Sequence, residues 1–155
     1  MVMISYNQIT EDIVVGSCPS GREEAEHLKE ALGISAVLNL QVDEDFTSWG
    51  VNWPELEQAY RHLGIELRRV PIVDFDSSNL RNKLREAVDA LRELVSTGHR
   101  VYLHCSVGVE RSPTVAVSYL VWCEGWSLDR ASEHMRSVRL SAPNLAAIRG
   151  AAAGS

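Results

Sequence analysis

Apolar residues recur along the chain with two periods, and the periods alternate. "ISAVLNL" (34–40) and "RVYLHC" (100–105) are unbroken apolar runs of strand length, the pattern of strands covered on both faces. The first is expected to be central in its sheet. "DIVVGS" (12–17), closed by Gly16, and "IELRRVPI" (65–72) read as further strands. Between them lie segments with one apolar helical face. "AEHLKEALG" follows Ser20 and Glu23, which form an S-x-x-E capping box, and stops at Gly33. "QVDEDFTSWGVNW" (41–53) is expected to be an acidic loop, after which Pro54 suits the first helical position of "ELEQAYRHLG". Residues 79–97 carry apolar side chains at 80, 84, 88, 91, 94 and 95 and end at Gly98. Two more helical patterns, 112–124 and 127–139, follow, with Ser127 as N-cap of the second, and "APNLAAIRGA" supplies a third. This alternation predicts the α/β class: a central, mostly parallel sheet with helices on both faces. In such folds ligands sit beyond the carboxyl ends of the strands.

Composition narrows the picture. A chain of 155 residues suits a single domain, 1–155, with a core over about 3–140 and a C-terminal helical extension over about 141–153. The small-residue tail "AAAGS" reads as a frayed end. No run approaches the roughly 18 uncharged apolar residues of a membrane span. The start lacks a basic segment followed by an apolar one, so a cytoplasmic location is expected. A net charge of -6 argues against broad binding to nucleic acid while leaving room for a local basic pocket. Cys18, Cys105 and Cys123 are an odd number at wide spacing, which fits neither a disulfide framework nor a zinc site, so at least one thiol is expected to be free. A monomer is expected, with no cofactor, metal, nucleic-acid or membrane partner.

The chemistry concentrates in "HCSVGVERS" (104–112). The strand 100–105 delivers Cys105 to the carboxyl edge, and the residues after it form a loop that runs into a helix N-terminus. Ser106, Val107, Gly108, Val109 and Glu110 then curl their amides around one point, with Gly108 free to adopt a backbone geometry closed to other residues. That makes an oxyanion site, and phosphate fits it. The same field favours the thiolate of Cys105, the nucleophilic form. Arg111 offers a planar fork of donors to phosphoryl oxygens, and Ser112 can donate to the sulfur as it leaves. A phosphocysteine route also needs a carboxyl group as proton donor and later as base. "PIVDFDSSN" offers Asp74 and Asp76 at the end of a neighbouring strand; both could instead simply cap the turn before the next helix.

"HCSVGVERS" matches H-C-x5-R-[ST], the signature of the cysteine-dependent protein tyrosine phosphatase superfamily, and the chain resembles its dual-specificity branch. The resemblance implies that fold, Cys105 as nucleophile, Arg111 as phosphate clamp, and a general acid about thirty positions before the cysteine. Asp74, 31 positions before it, matches better than Asp76, which is left as a cap. "IVVGSCPS", "LNLQVDEDFTSWGVNW", "VDFDSSNLR" and "APNLAAIRGA" are similar to plant glucan phosphatases that act on starch. By that resemblance Phe46, Trp49 and Trp53 lie on a recognition segment, Phe75 flanks the acid, and the substrate is a phosphorylated glucan, with a phosphoprotein as the alternative. Trp49 and Trp53, four apart, could equally pack one helical turn into the core. Trp122 and Trp126 are expected in the core.

Two positions depart from the pattern. Glu110 stands where a small residue is common and Val107 where Ala is common. A negative charge beside a dianion site weakens binding if it points inward and orients Arg111 if it points outward. An acidic residue here also resembles a plant starch-associated relative with little or no activity, so a phosphate- or glucan-binding module without turnover is the second expectation. Cys18 and Cys123 are expected to be inert buried thiols rather than redox partners. His104 is expected to bond backbone groups that hold the loop.

Overall fold

The structure is a computed structural model, and it describes residues 2–153. The last two residues of the "AAAGS" tail lie outside the described residues. Five strands form one sheet: β1 (Tyr6–Gln8), β2 (Ile13–Gly16), β3 (Ala36–Asn39), β4 (Glu66–Arg69) and β5 (Val101–His104), in the order β1-β2-β5-β3-β4. Only β1 is antiparallel to its neighbour. The helices are α1 (Arg22–Leu32), α2 (Asp43–Ser48), α3 (Trp53–Leu63), α4 (Ser77–Ser96), α5 (Arg111–Trp122), α6 (Leu128–Val138) and α7 (Leu145–Ala153). Together they make a single-domain α/β fold. No helix among the described residues is long and apolar enough to cross a membrane.

The continuous apolar runs are buried on both faces for the expected reason. In β5, Val101 and Leu103 face the core beneath α4, α5 and α7, while Tyr102 faces the core under α1 and α3. β3 repeats this with Ala36 and Leu38 against Val37. β5, rather than β3, is the middle strand. His104 pairs with Gly16 on one side and Asn39 on the other, so the chain leaves the sheet for Cys105 between the ends of two parallel neighbours. β4 is not the neighbour of β5 that was expected, because β3 pairs with both and separates them, but all three strands are parallel and the turn after β4 opens on the same edge.

Three expectations need correction. The supposed acidic loop contains α2, whose first turn holds Asp43, Glu44 and Asp45, acidic side chains suited to a helix N-terminus. Its cap is carried by Asp45, whose carboxylate accepts the Val42 N–H at 3.0 Å, where an ordinary capping side chain would stand in the sequence. The box at α1 is shifted by one residue. Ser20 donates through its hydroxyl and its amide to Glu24, both at 2.7 Å, and Gly21 is the N-cap. Glu24 is buried and also accepts the Met3 amide at 2.6 Å, which anchors the chain start against α1. Finally, Trp122 and Trp126 sit at the core's margin, each covered by an arginine, Arg85 and Arg130, at 4.7 and 3.7 Å.

Candidate active site

Cys105 is buried at the end of β5, and the next residues wrap into a loop that ends where α5 begins. What shapes the loop is the fate of its carbonyls. His104 Nδ1 meets the Cys105 carbonyl at 2.8 Å, and the Cys18 amide donates to the Ser106 carbonyl at 2.9 Å. Arg139, at the end of α6, donates Nη2 to Val107 and Nε to Gly108 at 3.0 and 2.7 Å. The Ala142 amide donates to Val109 at 2.7 Å. Because a trans peptide sets C=O and N–H on opposite sides, five carbonyls held outward turn the amides of residues 106–110 inward. The result is a concave set of N–H donors at the N-terminus of α5, an anion cradle beside the Cys105 sulfur. Ser112 Oγ lies 3.3 Å from that sulfur.

Gly108 holds this turn at φ 72°. A Cβ there would stand 2.6 Å from Arg139 Nη2 and 2.7 Å from the Gly16 carbonyl carbon. Gly108→Ala is therefore expected to lower the free energy of unfolding by about 1–3 kcal/mol. Urea titration of both proteins checks this, and equal midpoints would contradict it.

His104 is fully buried, and burial lowers its imidazole from 6.5 to about 4, the Cys105 carbonyl bond opposing. The ring is neutral at neutral pH and donates from Nδ1. The unfolded chain takes up a proton below about 6.5 while the folded chain resists until about 4, so stability falls as pH drops through that window. The loss is about 3 kcal/mol in all. Urea midpoints measured from pH 7 to pH 4 are expected to decline, and His104→Asn to flatten that decline. An equally steep profile in the variant would contradict this.

Arg111 is 2% exposed and its guanidinium is divided between two carboxylates. Nη1 donates to Asp45 Oδ2 at 2.8 Å and to the Ile72 carbonyl at 2.9 Å. Nη2 donates to Ser106 Oγ at 3.2 Å and pairs with Asp74 Oδ2 at 3.2 Å. Nε has no protein partner and is left as a donor for a ligand. A buried guanidinium is tolerable only when paired, and Asp45 on α2 meets that need while fixing the plane of the fork. Gln41 supports the same corner by donating to Ser106 Oγ at 3.0 Å.

Asp74 follows β4 on a turn closed by Asn79, whose Oδ1 accepts the Val73 amide at 2.8 Å. Asp76 caps α4 by accepting the Asn79 amide at 2.9 Å, so one aspartate reaches Arg111 and the other caps the helix. Between them Phe75 has φ 60° and is 93% exposed, a strained conformation that holds the ring out beside Asp74.

The four aromatic residues expected on a recognition rim separate into pairs. Trp49 closes α2 and is 49% exposed. It lines a groove of about 500 Å³ with Ser5, Ser17, Ser20, Ser106 and Val107. Phe75 is open to solvent. Phe46, by contrast, is 8% exposed and stacks on Trp53, ring centroids 4.6 Å apart, with Arg69 over both rings. Neither is on an open rim, because the stack is what packs α2 against α3. Trp49 and Trp53 do not share a helical turn; one ends α2 and the other starts α3.

Sequence reasoning missed Asp45, Gln41 and Arg139, whose partners are 66, 65 and about 31 positions away, and no local spacing signals them. Cys18 and Cys123 are free and only partly buried, not fully as expected. Burial still pushes the Cys18 thiol up to about 11, so it is protonated at neutral pH.

A buried sulfur beside a cradle of amides, a clamped arginine and a carboxylate on the adjoining turn thus share one edge of the sheet. The family described as "Dual specificity phosphatase, catalytic domain" matches residues 15–149, and the chain belongs to it. It is similar to phosphoglucan phosphatase LSF1 of Arabidopsis thaliana, 36% identical over 92% of this chain and 24% of the relative. It is also similar to phosphoglucan phosphatase DSP4 of Castanea sativa, 34% identical over 97% of this chain and 40% of the relative. The chain thus spans a quarter to two-fifths of these proteins. Among solved structures, Tk-PTP in its active form superposes with a TM-score of 0.73 at 25% identity, covering 97% of this chain and 95% of the other.

Proposed function

We propose that this chain is a phosphomonoesterase that works through a phosphocysteine and acts on phosphorylated glucan. The observation that carries the chemistry is that Cys105 and the loop 106–110, its carbonyls held outward, lie at one sheet edge with Arg111, whose Nη2 donates to Ser106 Oγ. An arriving phosphoryl dianion takes donors from Arg111 Nε and the loop, and competes with Asp74 for Nη2. The Cys105 thiolate attacks phosphorus, the P–O bond breaks, and the Asp74 carboxyl gives its proton to the departing oxygen. Asp74, now a carboxylate, takes a proton from water as that water attacks phosphorus, and the P–S bond breaks to regenerate the thiolate. Donors fixed before reaction hold the charge on the equatorial oxygens.

Substrate class rests on two supports. The curated relatives at 36% and 34% identity are both named phosphoglucan phosphatases. The groove beside the loop joins an exposed indole to the hydroxyls of Ser5, Ser17, Ser20 and Ser106, with no Lys or Arg among its lining residues. An aromatic face stacks on a sugar ring while hydroxyls bond its substituents; an acidic phosphopeptide calls for basic side chains instead. Glu110 turns its carboxylate to Asn144, 3.4 Å away, which favours turnover over passive phosphate binding. Phosphate release from phosphorylated glucan, a phosphopeptide and an aryl phosphate tests the reading. Trp49→Ala is expected to lower kcat/KM on glucan by about tenfold and leave the aryl ester unchanged. Wild type faster on phosphopeptide than on glucan would overturn the glucan assignment, and wild type no faster than Cys105→Ser would leave a binding module.

A further inference from the structure

The C-terminal extension reaches both halves of the site through one side chain. Asn144 precedes α7 and accepts the Ala147 amide at its Oδ1, at 2.9 Å, which fixes which end of the carboxamide is nitrogen. The Nδ2 group then has two hydrogens to place. One goes to Ser77 Oγ at 3.2 Å and the other, in a longer and weaker bond, to Glu110 Oε2 at 3.4 Å. Ser77 is the first residue of α4 and ends the turn that carries Asp74 and Phe75. Glu110 is the last loop residue before Arg111. The Asn144 backbone adds a third anchor by donating to Thr114 Oγ1 at 2.9 Å, and that hydroxyl donates to the Glu110 carbonyl at 2.6 Å. Behind this cluster α7 packs against both α4 and α5, the helices whose N-termini hold the two loops.

We propose that Asn144 is a positioning residue that sets the distance between the acid turn and the cysteine loop, with Glu110 as its anchor on the loop side. The inference rests on the phosphatase reading given above and deepens it. Asn79 and Asp76 close the acid turn on its own helix, but nothing within the turn fixes it relative to the cysteine loop except the Asp74 side chain. Asp74 is bonded to its own neighbour Phe75 and to Arg111, and that second contact is the one an incoming phosphoryl group displaces. Once displaced, the carboxyl must remain within reach of the departing oxygen, and the link from Ser77 through Asn144 to Glu110 keeps it there. Glu110, the residue that departs from the family pattern, thereby acts through the extension and not on the phosphate.

The step affected is protonation of the leaving oxygen, which gives the test its readout. Esters of an acidic phenol depart without a proton donor, while phenyl and alkyl esters need one. For Asn144→Ala, kcat is expected to fall about tenfold on phenyl phosphate and less than twofold on nitrophenyl phosphate, with the rate of Cys105 alkylation by iodoacetamide unchanged. Asn144→Asp keeps the cap on α7 but turns a carboxylate toward Glu110 where the native side chain offers a donor, so it is expected to show the same selective loss. Adding Glu110→Gln to Asn144→Asp supplies a donor from the other side, and Ser77 can turn its hydroxyl to donate; the phenyl ester rate is expected to recover. An equal loss on both esters, or no loss, overturns the inference. A wild type inactive on both esters is a different result, which removes the phosphatase reading itself.

Discussion

Arg111→Met is expected to remove about 3–5 kcal/mol of stability and at least a thousandfold of turnover, through two separable effects. The stability loss comes from Asp45, which is buried and would lose the guanidinium that Nη1 holds at 2.8 Å. A loss of that size is a large part of the 5–15 kcal/mol that keeps a domain folded. Adding Asp45→Leu removes the stranded charge and is expected to restore part of the unfolding free energy, because a buried pair replaced by apolar groups is often neutral while the α2 cap on Val42 is lost with the carboxylate. Turnover should not return, since the amides then act without the guanidinium. Arg111→Lys divides the effects differently: a single ammonium cannot span Asp45 and Ile72 on one side and Ser106 and Asp74 on the other. Urea unfolding and phosphate release on the three variants check both parts, and a double variant that regains activity would contradict the role given to the fork.

Cys105→Ser is expected to abolish phosphate release from every ester, by roughly four orders of magnitude or more, without disturbing the fold. A hydroxyl in the same buried place keeps the volume nearly constant and still meets Ser112. It does not ionise at neutral pH, so the attacking atom is lost while the amides and Arg111 stay in place. Phosphate or tungstate binding should therefore survive in the variant, and a loss of binding parallel to the loss of turnover would point to collapse of the loop instead.

The parts of this site that could be read from the sequence are those that lie close together in it. Cys105, Gly108 and Arg111 fall within seven residues, between a strand whose period announces burial on both faces and a helix whose start follows the loop. Asp74 was within reach because β4 and β5 end on one edge, which strand alternation predicts. What escaped has its cause elsewhere in the fold. Asp45 looks like one acid among several in 43–45, and only the return of the chain to the sheet edge brings it to Arg111. α2 is six residues long, too short to show a repeating apolar face, and its cap comes from inside the helix. β1 has three residues, none fully buried, and pairs antiparallel at the edge, so no apolar period marks it. The aromatic segment reads as a unit in the sequence, yet it splits: Arg69 over Phe46 and Trp53 draws two rings into packing, and leaves Trp49 beside the groove. Asn144, in a segment recognisable only as a closing helix, acquires its partners from α4 and the cysteine loop at once.

In the proposed reaction, phosphorus passes through the sulfur of Cys105. Quenching the protein with acid within milliseconds of mixing with an aryl phosphate, then weighing its peptides, tests this directly. A phosphoryl group is expected on the peptide that contains Cys105, more of it in Asp74→Asn, where water is activated poorly, and none in Cys105→Ser. Steady release of phosphate with no adduct on that peptide, or release that persists in Cys105→Ser, would contradict it.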